Sequence, residues 1–323
     1  MSPRFRSLGL VTIALVVLAG ATACEWVAPV QLTVTTEVDG ADVAPGDGVC
    51  EKTAGVGDCS LRAAIQEGNA LGAADIVLPG GWDYQLSPGI AVIGWLSITE
   101  AVGTGVATID AWITIEEGAQ LVADGFGAYG IGGTRFIVKG RFVGRHLTIA
   151  GLESLGQVVV APTGLAVLDN TILVHVFGST ATVQNQGTVI MRNTSLRAWS
   201  NIGVNTPAVS NSGRVVAESS ILQSCTGILP ESLGANNDDD GSCGLTAVGD
   251  QPGVVPDLAV SIGREITYDI NPGSPLIDAI PVGVNGCGDT LVDDQGFRAR
   301  PQDGDGDGVA ACDIGARERP AAP

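Results

Sequence analysis

Short apolar runs recur along the middle of the chain at a nearly constant spacing, and each run follows a glycine. Four ten-residue segments align without a gap on Gly140, Gly164, Gly187 and Gly213, at spacings of 24, 23 and 26 residues. A weaker copy begins at Gly118. Repeats of this length are typical of stacked architectures in which each copy contacts its neighbours. The pattern therefore predicts a solenoid.

The aligned copies place β-branched and aliphatic residues at the same positions, which indicates strands. Two positions after the glycines lie Phe142, Ala166, Val189 and Val215, and three positions after them lie Val143, Val167, Ile190 and Val216. Nine positions after the glycines lie Ile149, Leu173, Leu196 and Leu222. The runs are too short for a helical period. Paired helices would need a longer repeat, and the regular leucine pattern of leucine-rich repeats is absent. We therefore predict an all-β parallel β-helix with coils of about 22–26 residues.

Two polar columns stand next to each other in the same alignment. The first contains Asp124, His146, Asn170, Asn193 and Ser219, and the second contains Arg145, Asp169, Arg192 and Glu218. Side chains of the first column are expected to hydrogen-bond along the stack, as stacked asparagines do. Charge alternates along the second column, which predicts a ladder of exposed ion pairs. A catalytic cluster in a polysaccharide-cleaving groove is the alternative for this column.

A short amphipathic helix is predicted before the first regular coil. Ser60 is a suitable N-cap and Gly72 a suitable end. The apolar face consists of Leu61, Ala64, Ile65 and Leu71. Because the terminal coil of a solenoid exposes its core, we expect this helix to act as a cap. The chain then divides into a signal segment (1–23), an N-terminal strand, cysteine loop and capping helix (24–74), β-helix coils (75–224) and irregular coils with an acidic tail (225–323).

The first residues have the pattern of a secretory signal. Arg4 and Arg6 precede an apolar run over residues 8–20, which is too short to span a membrane as a mature helix. The following Ala-Thr-Ala fits cleavage by a general signal peptidase. Together with Cys24 it also resembles a bacterial lipobox, in which Cys24 would carry a lipid. Both alternatives predict export, to the cell surface or the medium, with membrane contact only through that lipid.

Composition and charge limit the classes of molecule that the protein is expected to bind. The chain of 323 residues is 45% hydrophobic but only 4% aromatic and contains 46 glycines, which suits the thin core of a solenoid. The formal net charge of −19 argues against nucleic acid as a partner, because that binding needs clustered Lys and Arg. Extracellular or cell-wall glycans are the expected partners, and we expect a monomer.

Cysteine usage agrees with export. Six cysteines follow Cys24 and fall into three local groups, Cys50 with Cys59, Cys225 with Cys243, and Cys287 with Cys312. Six cysteines allow 15 pairings, and sequence proximity favours the local one. Zinc is the alternative, but the chain has only two histidines and no Cys-x-x-Cys. An exported protein is therefore expected to form three disulfides.

Two acidic loops resemble the opening of a calcium loop, in which alternate carboxylates face inward. The first offers Asp303, Asp305 and Asp307, with Asp313 near the position where a glutamate usually completes the site. The weaker second loop offers Asn236, Asp238 and Asp240. Both loops precede a cysteine. Ca²⁺ is the only cofactor that the sequence suggests, and a solvated acidic turn is the alternative for each loop.

Two motifs resemble those of exported bacterial proteins. Residues 59–65, Cys-Ser-Leu-Arg-Ala-Ala-Ile, resemble the CSLREA motif, with Ala63 in place of its glutamate. The tail, through the segments 271–278, 294–301 and 312–316, resembles the C-terminal region of choice-of-anchor Q proteins. The resemblance implies a right-handed parallel β-helix of the pectate-lyase-like fold that is secreted or bound to the cell surface. It implies little about chemistry.

The favoured function is therefore that of an exported, non-enzymatic β-helix scaffold for adhesion, glycan contact or envelope structure. The alternative is a polysaccharide lyase or glycoside hydrolase acting in a groove of the β-helix. Asp169 between two arginines does not form a paired-acid site, and His146 and His175 fall in different columns. No catalytic residue is assigned. Three or more charged side chains converging in one groove would favour the enzymatic alternative.

Overall fold

The computed structural model describes residues 28–101, 103, 105–130, 134–151, 157–175, 180–198, 207–262 and 266–321. The signal segment 1–23 and Cys24 lie outside the described residues. The elements in chain order are β1 (Val30–Thr33), α1 (Leu61–Leu71), β2 (Ala73–Leu78), β3 (Asp83–Val92), β4 (Trp95–Glu100), β5 (Thr108–Ile115), β6 (Gln120–Asp124), β7 (Gly127–Gly130), β8 (Arg135–Val138), β9 (Arg141–Arg145), β10 (Thr148–Gly151), β11 (Val158–Val160), β12 (Leu165–Asp169), β13 (Ile172–His175), β14 (Val183–Asn185), β15 (Thr188–Arg192), β16 (Ser195–Ala198), β17 (Val209–Asn211), β18 (Arg214–Glu218), β19 (Ile221–Leu222), β20 (Cys225–Gly227), β21 (Glu231–Gly234), β22 (Asn237–Asp238), β23 (Gln251–Pro252), β24 (Leu258–Ile262) and β25 (Ile266–Ile270).

Parallel strands stack into three faces, which confirms the predicted β-helix. Within the described residues, the first face is a nine-stranded sheet in the order β1-β2-β4-β6-β9-β12-β15-β18-β21. The other strands of the stack form two arms that diverge from β5. One arm is the second face (β7, β10, β13, β16, β19, β22, β23), and the other is the third face (β8, β11, β14, β17, β20). A regular coil thus contributes one strand to each face, as β11, β12 and β13 do.

The predicted apolar columns fill the interior of the coils. Phe142 pairs with Ala166 in the next coil, and Ala166 pairs with Val189. All three side chains are fully buried. Phe142 also stacks on Phe136 of the third face, with ring centroids 4.5 Å apart. Each buried aliphatic or aromatic side chain contributes roughly 1.5–3 kcal/mol, so like-on-like stacking is the main stabilisation of the coils.

The repeated glycines stand where consecutive coils approach most closely. A Cβ built on Gly140 would clash with the carbonyl oxygen of Glu116, and one on Gly164 with that of Val138. Gly187 and Gly213 meet carbonyl oxygens of the preceding coil in the same way. The column is therefore glycine because no side chain fits against the neighbouring backbone.

A two-residue turn joins the first face to the second. The first residue of this turn adopts the left-handed conformation in four successive coils, with φ near +50° at His146, Asn170, Asn193 and Ser219. Asn and His are among the non-glycine residues that tolerate this conformation best. The alignment predicted Asp124 as a further member of this column, and the structure corrects that prediction. Asp124 pairs with Arg145 in the charged column, because the strand β6 is shifted by one residue relative to the later coils, with Gln120 opposite Arg141.

Two asparagines of consecutive coils form a hydrogen-bonded ladder on the third face. Asn185 donates through Nδ2 to Oδ1 of Asn211 in the next coil, over 2.8 Å. Each asparagine also accepts from the backbone N–H two residues later, at Gly187 and Gly213 respectively. Both side chains are buried. The ladder therefore satisfies buried polar groups at the turn that leads into the first face.

The capping helix forms as predicted. Ser60 Oγ accepts from the backbone N–H of Ala63 over 3.0 Å, and Gly72 ends the helix in the left-handed conformation. Leu61, Ala64 and Ile65 are buried, as expected for the packed face. Leu71 was assigned to the same face but is 36% exposed, because it lies in the last turn, beyond the contact with the first coil. The strand β1 precedes the helix in sequence and pairs in parallel with β2 as an outer strand of the first face.

The C-terminal region leaves the stack and folds back along its side. Irregular coils continue as far as β23, and β24 and β25 then form an antiparallel pair. The tail contacts the stack through two hydrogen bonds of 2.9 Å. The N–H of Gly315 donates to the carbonyl of Ser219 in the turn before β19, and the N–H of Ala316 donates to Ser195 Oγ on the second face. Tyr268 of β25 packs there in an apolar cluster with Val174. The tail therefore covers one flank of the β-helix.

The described part of the chain contains three disulfides, and they pair the cysteines as their spacing suggested. They join Cys50 with Cys59, Cys225 with Cys243, and Cys287 with Cys312. The first closes a loop beside the capping helix, and the other two lie in the irregular C-terminal region. None crosses between regular coils, where stacked strands already fix the chain.

Candidate functional site

Four charged side chains stand in register at the ends of neighbouring strands of the first face. The residues are Arg145 of β9, Asp169 of β12, Arg192 of β15 and Glu218 of β18. Asp169 lies 4.0 Å from Arg145 and 3.5 Å from Arg192, and Arg192 lies 3.8 Å from Glu218. The alternating ion-pair ladder is therefore confirmed. Such half-exposed pairs contribute little to stability, roughly 0–1 kcal/mol each.

A groove runs beside this ladder, between the stack and a segment of the tail. We call it the ladder groove; it is lined by Arg145, His146, Asp169, Asn170, Arg192, Asn193, Glu218, Asn285, Gly286, Thr290, Leu291 and Asp293. Its volume is about 420 Å³. The guanidinium side chains are half exposed, at 51% for Arg145 and 49% for Arg192, whereas those of Asp169 and Glu218 are 24% and 21% exposed. The arginines are thus the accessible groups of the groove.

His146 anchors the tail at one end of the groove. Its Nδ1 atom lies 2.7 Å from Asp124 of the preceding coil, and its Nε2 atom lies 3.2 Å from Asp293 of the tail. The ring of Phe297 lies over the imidazole, with centroids 4.5 Å apart. Burial opposes protonation of His146, but the two carboxylates outweigh it and raise its pKa. A protonated imidazole can donate to both carboxylates at once.

Asparagines hold the tail at other points of the groove. Asn285 donates through Nδ2 to Ser219 Oγ (3.0 Å) and to the carbonyl of Gly234 (3.2 Å), and Asn170 donates to the carbonyl of Asp293 (3.0 Å). The predicted side-chain hydrogen bonds along the turn column therefore form between Asp124 and His146 but not between Asn170 and Asn193. Asn170 uses its amide for the tail, and its Oδ1 and the Nδ2 of Asn193 are buried without a hydrogen-bond partner.

The groove presents hydrogen-bond donors and acceptors in alternation. Guanidinium groups only donate and carboxylates only accept, so the ladder offers both kinds of group along the stack direction. Burial raises the pKa of Asp169, although Arg192 and Arg145 oppose the shift. The raised pKa and the converging charges are features of catalytic grooves as well as of binding grooves. Every ladder carboxylate, however, lies within 4 Å of a guanidinium.

The first acidic loop brings together a different set of residues from the predicted one. Within the described residues, carboxylates of Asp278, Asp303 and Asp305 lie close enough to share a cation. Asp307 is not a member of this group. Asp313 is buried and accepts from the backbone N–H of Asp278 and Arg319, because the tail turns it into the interior. Burial raises the pKa of Asp313 to about 6.

The second acidic loop also differs from the prediction in one residue. Carboxylate oxygens of Asp238, Asp239 and Asp240 lie within 4.8 Å of one another. Asn236 is held in the stack instead, where Oδ1 accepts from the N–H of Ser220 and Nδ2 donates to the carbonyl of Ala217. Burial raises the pKa of Asp238 to about 6. Asp239 therefore replaces Asn236 in the group of acidic side chains.

Comparison with known proteins gives no guide to these sites. No protein-family model, no curated protein and no solved structure matches this chain. No helix in the part of the chain that the structure describes has the length and apolar character needed to cross a bilayer. The sites are therefore judged on their own chemistry.

Sequence reasoning missed the residues that the tail contributes. Asp293 and Asn285 belong to no repeat, and no spacing connects them with His146 or Ser219. Asn185 and Asn211 did carry a signal, because each stands two positions before a repeat glycine. The ladder itself was visible from the glycine register. The groove was not, because its second wall comes from a distant and irregular segment.

Proposed function

We propose that the protein is an exported, non-enzymatic β-helix that contacts glycans through the ladder groove. One observation carries the proposal: half-exposed guanidinium groups of Arg145 and Arg192 alternate with carboxylates along a groove of about 420 Å³. Sugar hydroxyls both donate and accept hydrogen bonds, so they complement such an alternation. A groove with one sign of charge would instead select a ligand of the opposite sign.

The rigidity of the stack supports the same proposal. Coils repeat at about 4.8 Å, so donors and acceptors of the ladder recur at regular intervals along the groove. Hydrogen bonds between coils fix the backbone beneath each of these side chains. A preformed site of this kind loses little conformational entropy when a ligand binds.

Export is the second part of the proposal. Three disulfides support it, because disulfides persist in oxidising compartments. The apolar run before Cys24 and the resemblance to exported β-helix proteins support it as well. Metabolic labelling with a palmitate analogue tests the anchor. We expect label on the wild-type chain and none on Cys24→Ala. Equal labelling of both would exclude the lipid at Cys24, and the absence of label on both would leave plain secretion.

A carbohydrate-active enzyme is the second candidate. The convergence of four ladder charges in one groove favours it, as does the raised pKa of Asp169. The pairing of each carboxylate with a guanidinium favours binding, since a paired-acid mechanism needs two carboxylates flanking the bond. Incubation of retained glycans with the protein separates the candidates. New reducing ends or unsaturated products that Asp169→Asn abolishes would establish the enzyme.

A glycan array with the mature, disulfide-bonded protein tests the binding proposal. We expect retention of particular glycans, with a loss of at least about tenfold, about 1.4 kcal/mol, in Arg145→Ala and in Arg192→Ala. The matched control is Arg214→Ala, because Arg214 lies on the same face, is 58% exposed and pairs with Glu231 outside the groove. Equal losses in all three variants would indicate a charge effect and reject the ladder groove as the site.

A further inference from the structure

The second acidic loop follows β22, the strand next to the last one of the second face. Asp238 is the last residue of β22, and Asp239 and Asp240 follow it in the turn that leads to Cys243. The disulfide from Cys243 to Cys225 holds this turn against the third face. Its backbone is thus fixed on both sides of the three carboxylates.

Two of these carboxylates each leave one oxygen buried without a partner. Asp238 is fully buried; its Oδ2 accepts from the backbone N–H of Cys243 over 2.8 Å, and its Oδ1 has no hydrogen-bond partner. The side chain of Asp239 is 9% exposed; its Oδ2 lies 3.1 Å from Arg197, and its Oδ1 has no hydrogen-bond partner. An unpartnered buried carboxylate oxygen is costly, so such an atom needs an explanation.

The charge of the cluster points to a dication. Among the residues that the structure describes, three carboxylates face one guanidinium, that of Arg197, which leaves two negative charges uncompensated there. Asp240 accepts from the N–H of Ser242 over 3.0 Å and brings the third carboxylate within 4.8 Å of the other two. A doubly charged cation would neutralise the cluster and give both unpartnered oxygens a ligand role.

We propose that Asp238, Asp239 and Asp240 form a Ca²⁺ site. The donors are carboxylate oxygens, which hard cations prefer, and Ca²⁺ accepts the irregular geometry that consecutive residues of a turn provide. One oxygen of Asp238 and one of Asp239 are held by hydrogen bonds, and the other oxygen of each is left for the ion. Backbone carbonyls and water complete the six to eight ligands of Ca²⁺.

The first acidic loop lacks this feature and serves as the internal comparison. Asp278 accepts from the N–H of Gly304 and Asp305, and Asp303 accepts from the N–H of Gly306 and Gly308. None of the three carboxylates of that group has a buried unpartnered oxygen. These hydrogen bonds account for the loop as a folded acidic turn, and it carries no metal proposal.

Calorimetric titration of the mature, chelator-treated protein with CaCl₂ tests the proposal. We expect one site per chain in the wild type and a rise in melting temperature with Ca²⁺, since a ligand that binds only the folded state stabilises it. Asp240→Asn should weaken Ca²⁺ at least tenfold, and this residue is chosen because it is more exposed than Asp238. The matched control is Asp305→Asn, which should leave the affinity unchanged.

The outcomes that overturn the proposal are specific. Absence of binding heat and of any thermal shift at millimolar Ca²⁺ would reject it and leave a proton shared between neighbouring carboxylates as the account of the unpartnered oxygens. Loss of binding in Asp305→Asn but not in Asp240→Asn would move the site to the first acidic loop. If Asp240→Asn fails to fold, Asp239→Asn and the wild-type shift with and without EDTA decide the question.

Discussion

The Nε2 atom of His146, in a turn of the β-helix, lies 3.2 Å from a carboxylate oxygen of Asp293, although 147 positions separate the two residues. Through this contact, and through Asp124 on the other side of the ring, one imidazole joins two coils to the tail. The tail segment that it holds is the outer wall of the ladder groove. The outer wall of the groove is therefore held in part by an imidazole whose pKa its two carboxylate partners raise.

Stability should fall as the pH rises past neutrality because of His146. Its pKa is raised in the folded state, so its contribution is complete below about pH 6.5, the ordinary value, and is lost as the pH rises through the folded pKa. We expect the difference in unfolding free energy between wild type and His146→Gln to be larger at about pH 6 than at about pH 8.5. Urea denaturation at both pH values measures it.

The control for this pH dependence is Lys139→Gln. Lys139 forms an exposed ion pair with Glu116, 2.9 Å apart, in which no histidine takes part. Its effect on stability should be the same at both pH values. A pH-independent difference for His146→Gln would contradict the assigned role of the imidazole.

Asn211→Ala should destabilise the stack by about 1–3 kcal/mol. The substitution removes the acceptor for the N–H of Gly213 and the donor to the carbonyl of Ile228, and it takes away one of the acceptors of the Asn185 amide. Thermal or urea unfolding measures the loss. The control is Ser210→Ala, one position earlier in the same strand and exposed. Equal stability of the two variants would show that the asparagine ladder contributes nothing.

Gly164→Ala should also destabilise the protein, by about 1–3 kcal/mol. The new methyl group would meet the carbonyl oxygen of Val138 in the preceding coil, and both positions lie in backbone that neighbouring strands hold in place. Chemical denaturation provides the measurement, with Ser210→Ala again as the reference. An unchanged midpoint would mean that the coils separate easily enough to admit a side chain.

Arg300→Ala should cost about 3–5 kcal/mol, because it leaves a buried charge uncompensated. Arg300 lies 2.8 Å from Glu318, both side chains are fully buried, and its guanidinium also donates to the carbonyls of Asp313 and Gly315. Removal of both partners should cost less than the sum of the single changes.

The comparison for this buried pair is the exposed one between Arg214 and Glu231. Arg214→Ala should change stability by less than about 1 kcal/mol. Urea unfolding of the four variants (Arg300→Ala, Glu318→Ala, their combination and Arg214→Ala) measures each term. Additive losses at Arg300 and Glu318 would indicate that the two side chains do not act as a pair.

The sequence alone determined the stack. The glycine register aligns Phe142 with Ala166 and Arg145 with Asp169, and both alignments hold in the structure, because a parallel β-helix places each repeat directly on the next. The same logic gave the capping helix with its ends at Ser60 and Gly72. The alignment was wrong at Asp124, because a one-residue shift in an early coil pairs this residue with Arg145 of the charged column and not with the turn column.

Tertiary structure alone decided what covers the stack. The tail carries no repeat, so nothing in its sequence placed Asp293 against His146 or turned Asp313 away from the first acidic loop. Packing also determined that Asp239, and not Asn236, joins Asp238 and Asp240 in the second acidic group. Local periodicity fixes contacts between copies of one repeat, whereas contacts between a repeat and an irregular segment arise from long-range packing that no period records.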